Sequence, residues 1–309
     1  MTIFTDLINS LLVEYPVAGS AFGFILGTTV GSFLNVCSTR IPLGISLISP
    51  SSNCPNCNQQ IPFYLNIPVI SWIMLKGKAI CCDFKIPCRY LALESFTGIL
   101  FCLLFYRFSI NQDLGFLFSS LVFVSLMIVI TAIDYETMMI PDRFSVGGAF
   151  AGLVLSTLFP VLHGFSIDPL VNEHFSAFLL SLFGFLVCSS VLFWVGELAE
   201  KLIGQEALGQ GDVKLLGCIG AFCGWEGGLF AIFGGALLGT FTMIPIMMIT
   251  KFSKIKFRNE NFQPGWGMEI PFGPFLGLAA LCYFLFLSEF VDEWFEQTRL
   301  NLVHLFSFV

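Results

Sequence analysis

Charge is scarce in this chain. Of its 309 residues only 14 are Lys or Arg, 21 are Asp or Glu and 3 are His, so charged residues make up 11% of the chain against 56% hydrophobic. Too little polar surface remains to cover a water-soluble globule of that length, and a soluble enzyme or binding domain is excluded. The net charge of −7 says little about partners, because the placement of Lys and Arg sets orientation; a nucleic-acid partner is not expected. Met1 to Ser10 contains neither a basic region nor a small-residue cleavage site, so the first apolar span is expected to be retained rather than removed as a signal peptide.

What is present is apolar and long. Mean hydropathy is +0.86, and runs of about 20 apolar residues read as transmembrane helices. The fold class is therefore an all-α polytopic membrane protein with about eight spans. They run near 17–37, 91–108, 114–133, 144–162, 175–195, a short run to Cys223, then 227–250 and 271–290. The short run is expected to be buried among other helices or to form a re-entrant turn. An amphipathic stretch, 196–211, precedes it, and a turn is read at Gly224-Trp225. In the first span Gly19, Gly23, Gly27 and Gly31 form a stripe without side chains. It suits either close packing against a neighbouring helix or self-association.

The loops sort by charge. With alternating sides, Arg40, Lys76, Lys78, Lys85, Arg89, Arg143, Lys201, Lys214, Lys251, Lys254, Lys256 and Arg258 share one side, leaving Arg107 and Arg299 on the other. By the positive-inside rule the larger set faces the cytoplasm and both termini lie outside. His163, His174 and His304 then lie on the outer side.

Two carboxylates stand out. Gly209-Gln210-Gly211-Asp212 puts an acid beside glycines just before the apolar run, and Ile133-Asp134 closes the third span at the same cytoplasmic level. An acid near bilayer depth costs about 3 kcal/mol unless paired or hydrated, which makes it a functional candidate. Two carboxylates within a few ångströms share one proton; the ionised one activates water while the protonated one polarises a carbonyl. The blander reading makes Asp212 a helix cap and Asp134 a solvated helix end. Asp142 reads as a cap or turn acid; Glu136, Glu197, Glu200 and Glu269 read as solvated loop acids.

Several ordered blocks resemble the prepilin peptidase family. They are Gly31-Ser32-Phe33-Leu34-Asn35-Val36 with Arg40 and Pro42; Cys54-Pro55-Asn56-Cys57; Asn66-Ile67-Pro68 with Ser71-Trp72; and Arg89-Tyr90 with Glu94, Thr97 and Gly98. Further along come Ile133-Asp134 with Pro141-Asp142, Glu206-Ala207-Leu208-Gly209 into Gly211-Asp212-Val213-Lys214, Gly220-Ala221 before Gly224-Trp225, and Ile270-Pro271-Phe272-Gly273-Pro274. The resemblance covers nearly the whole chain. It implies Asp134 and Asp212 as the catalytic pair, cleavage of the basic leader of type IV prepilins or type II secretion pseudopilins at the cytoplasmic face, and N-methylation of the new N-terminus with S-adenosylmethionine. Glu94 is implied at the methyl-transfer site, or else simply begins the second span. The sequence itself carries no separate signal for the methyl donor.

Five of the eleven cysteines crowd between Cys54 and Cys88. The family pattern implies two Cys-x-x-Cys pairs spaced like a zinc knuckle. Here Cys54 and Cys57 are intact and Cys82 matches the last cysteine, but Ala79 stands at the third position. Cys81 or Cys88 could complete a zinc site; a metal-free loop and peptidase activity without methyl transfer are the alternatives. The remaining thiols, such as Cys102 and Cys188, read as packing residues.

The expected organisation is a first transmembrane helix (1–40), a cytoplasmic cysteine loop (41–90) and a transmembrane peptidase domain (91–309). An ion-coupled transporter is the rival class, but no repeat relates the two halves. A presenilin-like protease shares the Gly-x-Gly-Asp acid, but the Pro-Ala-Leu motif of that family is missing and Asp134 follows Ile133 where a tyrosine would stand.

Overall fold

The computed structural model describes residues 12–48, 53, 54, 56, 57, 59–82, 84–166, 170–204, 208–253 and 271–306. Met1 to Ser10, Glu206-Ala207, Glu269 and the basic residues Lys254, Lys256 and Arg258 lie outside the described residues. No strand forms among those described; helices account for nearly all regular structure. They are α1 (Pro16–Arg40), α2 (Ile70–Met74), α3 (Cys88–Asn111), α4 (Leu114–Thr137), α5 (Asp142–Leu158), α6 (Val171–Ile203), α7 (Gln210–Ser253), α8 (Gly273–Cys282) and α9 (Ser288–Phe306). Among the described residues six helical segments are long and apolar enough to cross a membrane: α1, α3, α4, α6, Gln210–Pro245 and Gly273–His304. The polytopic helical fold class is thereby borne out, with six such segments among the described residues where about eight spans were read: α5 falls short at 17 residues, and the short run to Cys223 is counted together with the span after it.

The chain divides into two compact units, 1–133 and 134–309. In the first, α1 lies along α3, and the glycine stripe makes the contact. A Cβ on Gly23 would lie 2.9 Å from the Phe101 carbonyl, one on Gly27 2.7 Å from the Thr97 carbonyl, and one on Gly31 2.9 Å from Glu94 Cα. Gly98 of α3 answers from the other side, against Thr28 and Phe24. Of the two sequence readings, the structure shows close packing within the chain. Where lipid offers no hydrophobic drive to association, such backbone approach maximises dispersion contacts between helices.

In the second unit α6 and α7 cross through glycines, Gly184 touching Gly220 backbone to backbone. Helix α6 also absorbs the first half of the stretch read as a separate amphipathic segment, and ends where Gly204 adopts φ 77 and its N–H caps the Glu200 carbonyl at 2.7 Å. The short run and the long span after it are two helical segments of α7 joined at Gly224, whose φ 71, ψ −179 is not helical. Only a residue without Cβ takes that conformation cheaply, so the expected turn is there, as a sharp kink between the two segments. The expected burial holds: Leu215, Leu216, Cys218, Ile219, Ala221 and Phe222 are all at 0% exposure.

Side chains satisfy the carbonyls around the kink. The Ala221 carbonyl accepts from Ser181 Oγ at 2.6 Å and Ser156 Oγ at 3.3 Å, and Tyr283 OH reaches the Cys223 carbonyl at 3.3 Å. With the Ser156 proton so committed, His163 Nε2 is the donor to Ser156 Oγ at 3.0 Å. Burial pushes the His163 imidazole down from 6.5 to about 4. Between those values the unfolded chain takes up the proton and the folded one does not. Stability from this site is therefore full above pH 6.5 and is lost as pH falls towards 4, by roughly 3 kcal/mol at the lower end. His163→Gln keeps an amide donor without a titrating group. Its melting temperature is expected to fall less than the parent's between pH 7 and pH 4.5, on the scale of ordinary acid titration; parallel curves would mean that His163 titrates normally.

Candidate active site and cysteine cluster

Three chain segments of the second unit converge on Asp134. Asp134 sits in the last turn of α4, which ends as Met138 takes φ 53 with its N–H on the Asp134 carbonyl at 2.9 Å. Pro141 then starts α5, so Ile140 is held in the short turn between them. Asp212 lies in the first turn of α7, its N–H on the Gly209 carbonyl at 3.1 Å. The glycines beside it serve proximity: a Cβ on Gly211 would lie 3.1 Å from Ile140 Cβ, and one on Gly209 3.4 Å from Asp212 Oδ2. At the start of α8, Gly273 donates its N–H to Asp134, and a Cβ on Gly273 would lie 2.6 Å from Asp134 Oδ2.

The two acids act on each other electrostatically. Asp134 is 4% exposed and its Oδ2 has no hydrogen-bond partner, while Asp212 is half-buried. A buried carboxylate oxygen without a partner is costly to keep and marks a place where water or a substrate carbonyl completes the bonding. Lys214 pairs with Asp142 at 2.7 Å, tying α7 to the start of α5. Sequence reading had Asp142 as a cap or turn acid and missed this pair, which joins residues far apart in the chain. It also missed Gly273, whose donor is a backbone group.

In the first unit two tight turns each present two cysteines. Antiparallel bridges at Asn53–Gln60 and Lys78–Lys85 close the turns. Their thiols meet: the sulfurs of Cys54, Cys57, Cys81 and Cys82 all lie within 4.8 Å of one another. Neighbouring Sγ atoms are 3.3 Å (Cys57–Cys81), 3.5 Å (Cys54–Cys82) and 3.8 Å (Cys81–Cys82) apart. These are too long for disulfides, and all the cysteines are free. Four sulfurs about 2.3 Å from a tetrahedral zinc would be about 3.8 Å apart, so the set fits that ion. Backbone N–H groups of Cys57 and Asn56 donate to Cys54 and hold its thiol down at about 6, as suits a ligand bound as thiolate. Cys81 is driven up to about 12 by sharing its proton with Cys57. Cys81 thus joins the cluster in place of the cysteine lost at Ala79, whereas Cys88 is exposed at the start of α3 and stays out of it.

Glu94 lies on α3 facing α1. Its carboxylate accepts the Val69 N–H at 2.8 Å and the Ser32 hydroxyl.

Two family models match the chain. The family described as Bacterial Peptidase A24 N-terminal domain matches residues 25–108, and the Type IV leader peptidase family matches residues 121–244. The chain belongs to the type IV leader peptidase family. A relative from Klebsiella pneumoniae, named prepilin leader peptidase/N-methyltransferase, is 34% identical over 226 residues, covering 71% of this chain and 92% of its own. Relatives of the same name from Myxococcus xanthus (34% identical, 79% of this chain, 67% of its own) and Dichelobacter nodosus (30%, 92% and 96%) match as well. No solved structure matches.

Proposed function

We propose that this chain is a bacterial inner-membrane enzyme that cleaves the leader of type IV prepilins or type II secretion pseudopilins and methylates the amine so formed. The observation that carries the reading is the partnerless Oδ2 of buried Asp134 in electrostatic reach of Asp212. One carboxylate, ionised, takes a proton from water as its oxygen attacks the scissile carbonyl carbon. The other, protonated, donates to the carbonyl oxygen. As the tetrahedral adduct collapses, the C–N bond breaks and the leaving amine takes up a proton. The glycines at 209, 211 and 273 let their backbone segments come up close to the two acids and to Ile140, which fixes the pair in place.

The distribution of bases favours an active site at the cytoplasmic face, with both termini outside. Residues 41–90 would form the loop domain linked to methyl transfer, with zinc held by Cys54, Cys57, Cys81 and Cys82. That four thiols still meet despite Ala79 supports a bifunctional enzyme over a peptidase alone. S-adenosylmethionine would supply the methyl group, and Glu94 would line the site of its transfer.

Purified protein incubated with a prepilin is expected to give a product lacking the leader and, with S-adenosylmethionine present, carrying one added methyl by mass spectrometry. A prepilin whose leader glycine is replaced should stay uncut. An uncut parent prepilin would overturn the peptidase reading; a cut but unmethylated one would leave a peptidase alone.

A further inference from the structure

Outside the aspartate site, the contact of α1 with α3 leaves a buried amide oxygen without a partner beside a buried carboxylate. Gly31 sets α1 against Glu94 of α3 backbone to backbone. Ser32 is adjacent, and Asn35 follows one turn later. Asn35 is 1% exposed; its Nδ2 donates to the Tyr90 carbonyl at 3.3 Å, and its Oδ1 has no partner. The Tyr90 carbonyl can only accept, so turning the amide over would break that bond. Glu94, one turn beyond Tyr90, is 8% exposed. Among the described residues no cation pairs with it; its carboxylate has the Val69 N–H and the Ser32 hydroxyl. Val69 is itself held at φ 62, ψ −53, a conformation strained for a β-branched residue and of the kind that gathers at ligand sites.

A buried carboxylate without a countercharge and an amide oxygen without a donor, on facing turns of two touching helices, both call for a positively charged N–H donor. We propose that Ser32, Asn35 and Glu94 form a binding site for a primary ammonium group. The ammonium supplies three donors, and the site offers the Glu94 carboxylate, Asn35 Oδ1 and the lone pairs of Ser32 Oγ. The proposal rests on the methyltransferase reading, which brings two such groups to the enzyme: the α-amine of the cleaved chain and the amino-acid amine of the methyl donor. Either source fits this chemistry.

The experiment is titration calorimetry on the full-length protein in detergent. Its ligands are a mature pilin N-terminal peptide and S-adenosylhomocysteine, each with a free and an N-acetylated amine. For at least one ligand, acetylation is expected to weaken binding to the parent protein roughly ten- to hundredfold, the size of one charge-assisted hydrogen bond. That ligand is the occupant. In Glu94→Gln the difference should shrink to about twofold or less, while Asn35→Asp, which keeps the acceptor, should retain it. Circular dichroism reports whether each variant folds. If acetylation has no effect on either ligand, or an effect that Glu94→Gln leaves unchanged, the ammonium site is overturned. Prepilin cleavage by the same parent sample separates the outcomes: cleavage with no amine discrimination sinks this proposal and leaves the peptidase standing.

Discussion

Replacing either Asp134 or Asp212 with asparagine is expected to slow leader cleavage at least ~1000-fold, with the protein still inserted and folded. Asparagine has the shape of aspartate and can still accept the Gly273 N–H, so the loop between α4 and α5 and the starts of α7 and α8 have no reason to move. What it lacks is the ability to ionise or to hold a shared proton. With one amide in the pair, water activation and carbonyl protonation can no longer be divided between two groups. The double variant should be scarcely slower than either single one, because groups that act as a unit lose their effect together. The check is a cleavage time course on purified protein in detergent, with circular dichroism confirming the fold. Activity above a tenth of the parent's in either variant would break the two-carboxylate mechanism.

Cys57→Ser is expected to strip the loop of metal and to abolish methyl transfer. Three thiolates close a tetrahedral zinc site poorly, and a structural zinc contributes about 10–16 kcal/mol to a small domain that folds around it. This loop has little else to hold it. Among the described residues Tyr64, Ile70, Ile73 and Met74 are exposed, so little apolar surface is buried beneath the two cysteine turns. Elemental analysis should find stoichiometric zinc in the parent protein and none in the variant, and limited proteolysis should open the loop only in the variant. Cys88→Ser provides the contrast. Its thiol stands apart from the cluster, so metal content should stay at the parent level. Loss of zinc in Cys88→Ser would put Cys88 among the ligands, and zinc retained in Cys57→Ser would take Cys57 out of the set.

Much of this was legible in order along the chain. Hydropathy located the spans, because apolar length is a local property. The glycine stripe foretold a close helix contact, and scarcity of charge singled out Asp134 and Asp212. What stayed hidden depends on residues meeting from afar. Gly224 read as a turn and is one, but the sequence does not say that Ser156, Ser181 and Tyr283 will meet the carbonyls it leaves open. Cys81 and Cys88 were equal in sequence; only the Lys78–Lys85 bridge aims one of them at Cys57. Asn35 belonged to a motif, but its unmet oxygen appears only once α3 covers it. His163 read as an outer-side loop residue, and nothing nearby announced its burial.

The bend in α7 has a mechanical consequence. The half before Gly224 is buried from Leu215 to Cys223, whereas the half beyond it packs Gly234, Gly235 and Gly239 on α8 and turns Phe233, Leu237, Phe241 and Ile244 outward. A change in bilayer thickness acts on the outward-facing half, and the joint between the two is where it is expected to be taken up before it reaches the acid at the far end.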